Sequence, residues 1–485
     1  MRQSRRRMAG LILVAGIALM GHAIGVGTAE AAATAAPALT LSPPSGPPAT
    51  VITVKGERFA GLERVDLFFD TTRLRSTAVD GNGAFSAPVT VPTTATPGTH
   101  QIRGVGRVSN RSAGAAFVVV PPVRADWPQS GGGPAHAGSN AEERTIGATN
   151  LATVRQTRSI ATVVPPQAVV GATIYGVAGT RLSAIDAVTG ATRWTSMQGR
   201  GYLRSPAVGG GRVFVSGFDG RVYAVDAATG APLWSRLVDV NPLFSAPTVA
   251  GDTVYVRGDN QADQTIWYAL DAATGAVRWQ TAPGAGGAIP TGPAVADGRV
   301  YVLGLQVGTL SALDMTTGAT RWTVPVAGAV SMDALVVADG VVYVAARNMY
   351  AFDAATGRLL WTRRSAAVPG DSKWFTSPAA ADGVLYASES YLGADPVLHA
   401  MNPADGTDRW TARGVSETPA IANGVVYGGG GKVRAFAAAT GAPLWTWTPT
   451  PPSTWVSTPI VANGRLVVRI GDGETTHRTV VLGLG

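Results

Sequence analysis

The feature that most constrains this chain is an eleven-residue pattern, A-x-D-x-x-T-G-x-x-x-W, written seven times in register. It closes SAIDAVTGATRW at Trp194, YAVDAATGAPLW at Trp234 and YALDAATGAVRW at Trp279, then recurs in copies ending at Trp322, Trp361, Trp410 and Trp445. The Asp position falls at Asp186, Asp226, Asp271, Asp314 and Asp353, then becomes Asn402 and Ala437, with spacings of 40, 45, 43, 39, 49 and 35 residues. A unit this small cannot bury an apolar face alone, so copies must stack on one another. Each parses as a strand such as SAPTVA, a tight turn, a strand such as TVYVRG, a variable loop, a strand ending at the Asp and a strand ending at the Trp. Four antiparallel strands at this period predict one propeller blade per copy.

Within the pattern the residue types predict mechanics rather than chemistry. An Asp before a tight turn accepts the turn's amide N–H groups, and the Gly supplies a positive φ without strain. A Trp at the same place in every unit is a wedge for the seams between blades. After Trp445 the chain starts another unit, STPIVAN, GRLVVRIGDG and RTVVLGLG, and stops short of a fourth strand. The stretch from Thr149 to Thr162 lies before the first complete unit and can supply that strand, closing a ring of eight, with Arg158 where the other units carry Trp; a ring of seven is the alternative. The expected fold is therefore all-β.

Residues 1–31 read as a secretory signal peptide: Arg2, Arg5, Arg6 and Arg7 precede an apolar run from Ala9 to Met20 and a small-residue end at Ala31. Ser4 to Met8 also fits a twin-arginine export signal. No later apolar run is long enough to span a membrane. The formal charge of +8 is thinly spread, and part of it leaves with the signal. No basic run remains to support nucleic-acid binding. With no cysteine in the chain, disulfides, thiol catalysis and a cysteine-linked lipid anchor are excluded. Between residues 38 and 121, short alternating runs such as VITVKG, RVDLFF and THQIRGVG predict a small β-sandwich, with DGNG at Asp80 to Gly83 as a hairpin turn; Pro121-Pro122 end it, and residues 123–485 belong to the repeat.

The opening LSPPSGPPATVITVKGERF resembles bacterial immunoglobulin-like domains of the IPT/TIG type. The repeated A-x-D-x-x-T-G-x-x-x-W, preceded by DWPQSGGGPAHAGSN at Asp126 to Asn140, resembles the tryptophan-docking motif of the PQQ-like repeat family of quinoprotein propellers. The resemblance implies an immunoglobulin-like sandwich followed by an eight-bladed propeller, in which Trp194, Trp234, Trp279, Trp322, Trp361, Trp410 and Trp445 each stack on the neighbouring unit's motif. It also implies one of two activities. Quinone-dependent dehydrogenases of this family hold PQQ with calcium under a vicinal disulfide; members of the BamB type are non-catalytic. This chain has no cysteine for that disulfide, and its glutamates after Glu143, namely Glu389, Glu417 and Glu474, have no recognisable calcium-binding partners.

Other chemistry is not legible. His100, His136, His399 and His477 show no metal-ligand spacing, and there is no G-x-S-x-G elbow or complete P-loop. Loop length is more informative. Connections after strands one and three of each unit are short, whereas RGDNQADQTIW, RRSAAVPGDSKWF, SESYLGADPV, WTPTPPSTWV and GDGETTH all follow strands two and four, so one propeller face is plain and the other decorated. Arg257, Asp259, Trp267, Asp371, Lys373, Trp374, Glu389, Tyr391 and Trp455 are the candidate binding residues of the decorated face. The sequence thus predicts an exported monomer, without catalytic, cofactor or metal residues, that presents a rigid face to an extracytoplasmic protein or a cell-surface glycan; a PQQ-dependent oxidoreductase of atypical type is the alternative.

Overall fold

A computed structural model describes residues 36–48, 50–92, 95–120, 124–161, 164–197, 201–239, 245–259, 265–283, 292–304, 308–327, 330–365, 374–390, 395–453, 455–471 and 477–484. The chain divides into two compact units between Pro122 and Val123. Among the described residues regular structure is strand throughout, apart from one 3-10 turn at Leu151–Thr153. No described helix is long and apolar enough to cross a membrane.

The first unit holds two sheets, one of Ala38–Ser42, Val51–Glu57 and Phe85–Thr90, the other built around Arg64–Phe69, Gly98–Gly106 and Ser112–Val119. Period-two alternation buries every second residue of Val51–Glu57, so Ile52 and Val54 meet Val65, Leu67, Ile102 and Phe117 in one apolar cluster. The DGNG stretch differs from its predicted hairpin: the strands it joins, Thr72–Ala78 and Phe85–Thr90, belong to different sheets. It remains a turn, because Asp80 Oδ1 accepts the amides of Asn82 and Ala84 at 2.9 and 2.8 Å.

The second unit is a propeller-like succession of four-stranded antiparallel sheets. The second sheet is typical: Ala207–Gly209, Arg212–Ser216, Arg221–Asp226 and Pro232–Leu237, in that order from inner to outer strand. Among the described residues there are eight sheets on this plan, three of them with one further short strand, and the last takes its outer strand from Val154–Ile160, which pairs with His477–Leu484. A bulge at Thr157 sets Arg158 opposite Val481, the register that places Trp194 opposite Ala184 in the first sheet. Arg158 Nε donates to Val188 O at 2.5 Å, while Ile160 fills the space against Gly190 that an indole fills elsewhere.

The repeated residues fasten sheet to sheet. Asp226 Oδ1 accepts the amides of Ala228 and Thr229 at 3.0 and 2.8 Å, and the same bonds recur at Asp186, Asp271 and Asp314. Each Trp indole donates to a carbonyl in the next sheet's turn: Trp194 to Ala227, Trp234 to Ala272, Trp279 to Met315, Trp322 to Ala354, Trp361 to Pro403 and Trp410 to Ala438, at 2.7 to 3.3 Å. The ring lies flat on the turn glycine. A Cβ on Gly230, Gly275, Gly318, Gly357, Gly406 or Gly441 would come within 2.6 to 2.9 Å of the preceding Trp. Trp445 is the exception: it packs on the cluster holding Leu151 and Leu482.

Candidate functional site

A propeller's inner strands leave backbone groups facing the axis, and these need partners. Here the segment from Trp127 to Asn140 supplies one to every sheet in turn. Trp127 exchanges two 2.7 Å backbone bonds with Val169; Pro128, Pro134, Ala135, Ala137 and Gly138 carbonyls accept the amides of Val208, Val295, Val337, Ala380 and Ile421. Two side chains complete the circuit. Gln129 accepts from Val249 N at 2.8 Å and donates to Val249 O at 3.3 Å, and Asn140 Nδ2 donates to Val461 O at 2.9 Å. The DWPQSGGGPAHAGSN segment is therefore a collar threaded round the axis. Its glycines allow the close approach: a Cβ on Gly138 would lie 2.5 Å from that of Ala379.

The collar floors an axial cavity of about 320 Å³. Its walls come from residues at or just ahead of the inner strands of five sheets, including Ser377, Thr418 and Thr458, each followed by Pro. The cavity therefore lies on the side where the long connections enter. Of the described residues lining it, none carries an acidic or basic side chain other than His136. Burial pulls the His136 imidazole down to about 4, so it is neutral at physiological pH, and its Nε2 lies 3.3 Å from Thr248 Oγ1.

The candidate residues of the decorated face separate. Trp374 is 38% exposed and Trp455 half-buried, and both occupy two-residue strands, Trp374–Phe375 and Trp455–Val456, laid against the end of the second strand of their sheets. Trp455 Nε1 donates to Glu417 Oε1 at 3.0 Å, and Arg469 stands over the Trp455 ring at 5.9 Å. Arg257 and Trp267, by contrast, are buried, because their hairpin runs on past the usual length and pairs them opposite each other inside the sheet. Asp259 ends that same hairpin strand, opposite Thr265. Asp371, Lys373 and Tyr391 lie outside the described residues.

Glu389 is drawn inward, accepting a hydrogen bond from Ser365 Oγ and lying 3.5 Å from His399 Nε2. His399 Nδ1 meets Asp408 at 3.1 Å, and Arg363 from the neighbouring sheet binds Asp408 through both nitrogens at 2.7 and 2.9 Å. Burial alone would raise the Asp408 carboxyl, but Arg363 and His399 hold it below the ordinary range. This cluster is a polar fastener across one seam. Among the described residues no group of His, Asp and Glu is arranged to hold a metal ion.

Sequence reasoning missed Tyr202. It lies six residues before the collar-bonded Val208, as Trp374 does before Ala380 and Trp455 before Val461, and it is 67% exposed with its edge on Phe218. The signal was the count back from each inner strand.

These features can be set beside known proteins. Serine/threonine-protein kinase AfsK of Streptomyces griseus is 34% identical over 151 residues, 29% of this chain and 18% of the kinase. Tetrathionate hydrolase of Acidithiobacillus ferrooxidans is 26% identical over 303 residues, 52% of this chain and 59% of the hydrolase. The chain thus spans under a fifth of the kinase and about three fifths of the hydrolase. Quinohemoprotein alcohol dehydrogenase from Comamonas testosteroni superposes with a TM-score of 0.61 at 17% identity, over 74% of this chain and 81% of that one. A europium-containing methanol dehydrogenase gives 0.59 at 15% identity, over 74% and 98%. Such identities speak to the fold alone. The profile of the family described as "Outer membrane protein assembly factor BamB" matches residues 178–280, 262–413 and 393–480, well over half the chain, and this protein belongs to that PQQ-like repeat family.

Proposed function

We propose that this chain is an exported, non-catalytic binding protein: an immunoglobulin-like domain of the IPT/TIG type followed by an eight-bladed propeller whose decorated face engages an extracytoplasmic protein or a cell-surface glycan. The observation that carries the reading is the axial cavity. It is floored by the chain's own collar, its described lining is neutral, and aromatic residues recur at one register in the sheets around it. A carboxylated quinone with its calcium ion needs cationic and anionic partners. The described lining offers none, and Glu389 and Glu417 are engaged with Ser365 and Trp455. The described residues do not fit that cofactor.

The test is crosslinked capture from the exported fraction, repeated with Trp374→Ala and Trp455→Ala. Both variants should weaken a captured partner by about tenfold or more, the loss expected for an aromatic hot spot. Unchanged affinity for every captured partner would overturn the reading. So would a tight spectral change on adding PQQ with calcium, followed by dye-linked oxidation of an alcohol or sugar.

A further inference from the structure

We propose that the axial cavity binds a neutral, polyhydroxylated ring, a free sugar or the end of a glycan chain. This rests on the reading of the chain as a binding propeller and adds the ligand class and its place. The volume of about 320 Å³ is at the small end of the ligand-pocket range, room for one ring rather than an extended chain.

The chemistry of the walls selects the class. Ser377 is 8% exposed, and its hydroxyl, like that of Thr458, is buried without a protein partner; both residues line the cavity. Burying a hydroxyl unpaired costs about 1–3 kcal/mol, so such groups are few in native folds. Two of them on residues that line one cavity are donors and acceptors that a χ1 rotation turns to a ligand. Ser130, Ser205 and the imidazole of His136 add further neutral polar groups, and the Trp127 indole supplies an apolar surface. A sugar ring matches this set, with hydroxyls on its rim and C–H groups on its faces. An anion does not, since an unpaired charge would be stranded in a site with no described cation.

The probe set is the methyl glycosides of glucose, galactose, mannose and N-acetylglucosamine, with gluconate as an anion of similar size, titrated against the full chain by saturation-transfer NMR and calorimetry. At least one glycoside should bind and gluconate should not. Ser377→Ala and Thr458→Val should each weaken binding by about fivefold, the loss of one neutral hydrogen bond. Neither should lower Tm, because neither hydroxyl bonds to the protein; a merely structural role would lower it. An oligosaccharide binding more tightly than its terminal glycoside identifies a glycan end as the ligand, and equal affinity identifies a free sugar. No binding by any glycoside, equal binding of gluconate, or unaltered affinity in both variants would overturn the proposal. If that happens while Trp374→Ala still weakens partner capture, the cavity inference falls and the binding-face reading stands.

Discussion

The seam between the third and fourth sheets offers the sharpest test of the tryptophan wedge. Trp279 is 8% exposed, donates to Met315 O at 3.0 Å, and lies so close to Gly318 that a Cβ there would be 2.6 Å from Cε3 and 2.7 Å from Cδ2. Trp279→Ala should cost about 3–5 kcal/mol, the cavity and transfer loss of a core aromatic. Gly318→Ala should carry two separate penalties. An L-residue held at a φ of 73° costs about 1–2 kcal/mol, and the clash with an indole that cannot retreat costs about 1–3 kcal/mol more. In the double variant the ring is gone and only the backbone penalty remains. The two substitutions should therefore be less damaging together than their sum, by about 1–3 kcal/mol. Urea unfolding of the four members of the cycle, followed by far-UV circular dichroism, measures this. Additivity within about 0.5 kcal/mol would refute the claim that the glycine is required because the ring lies on it.

Trp445→Ala should cost less than Trp279→Ala, because none of the described glycines has its Cβ position against the Trp445 ring and that ring is only partly buried; Tm of the two variants decides it. Gln129→Ala should cost about 1–3 kcal/mol by leaving the Val249 amide without its acceptor, and hydrogen exchange at that amide should accelerate. Acidification should destabilise the fold in two stages. The His136 contribution is complete above about 6.5 and is lost as pH falls toward about 4, since only the unfolded chain takes up the proton there. The contributions of Asp186 and Asp271, held down near 2 by turn amides and arginine partners, go below the ordinary carboxylate range. His136→Asn, which tolerates the residue's φ of 55°, should flatten the first stage of a pH–Tm profile and leave the second.

What repeats was legible. The Asp, Gly and Trp of each unit were readable because the same local demand recurs and the residue type names the demand. The partner aromatics were equally readable in principle: Tyr175, Phe214, Tyr255, Tyr301, Tyr343 and Tyr386 hold one place in the second strand, and each tilts against its sheet's Trp at 5.8 to 6.2 Å. Arg278, one residue before Trp279, bonds Asp271 at 2.8 Å, and Arg193 does the same for Asp186. The collar was not readable as such. Its bonds join residues as distant as Asn140 and Val461, and no periodicity marks a segment whose partners are spaced by the whole repeat. Composition marks Arg257 and Trp267 as loop residues of the surface, whereas backbone pairing carries the strands further, to Asp259 opposite Thr265.

Symmetry explains why the candidate site is not in the motif. A residue repeated from blade to blade does the same task at each seam and cannot by itself mark one point on the ring. Recognition needs what breaks the repetition. The collar does so by passing each inner strand once with a different residue, which puts His136 and Trp127 at single places on the axis. The face does so by carrying Tyr202, Trp374 and Trp455 at one register in the second, sixth and eighth sheets, while the same position in the seventh is the buried Val415. The arrangement has a mechanical consequence. The wedges lie at the outer strands and the collar at the inner ones, so loosening a wedge should lower Tm without altering the cavity, whereas a collar substitution such as Gln129→Ala should change ligand affinity as well. If Trp279→Ala shifted glycoside affinity as much as Gln129→Ala did, stability and recognition would not be divided between rim and axis in this way.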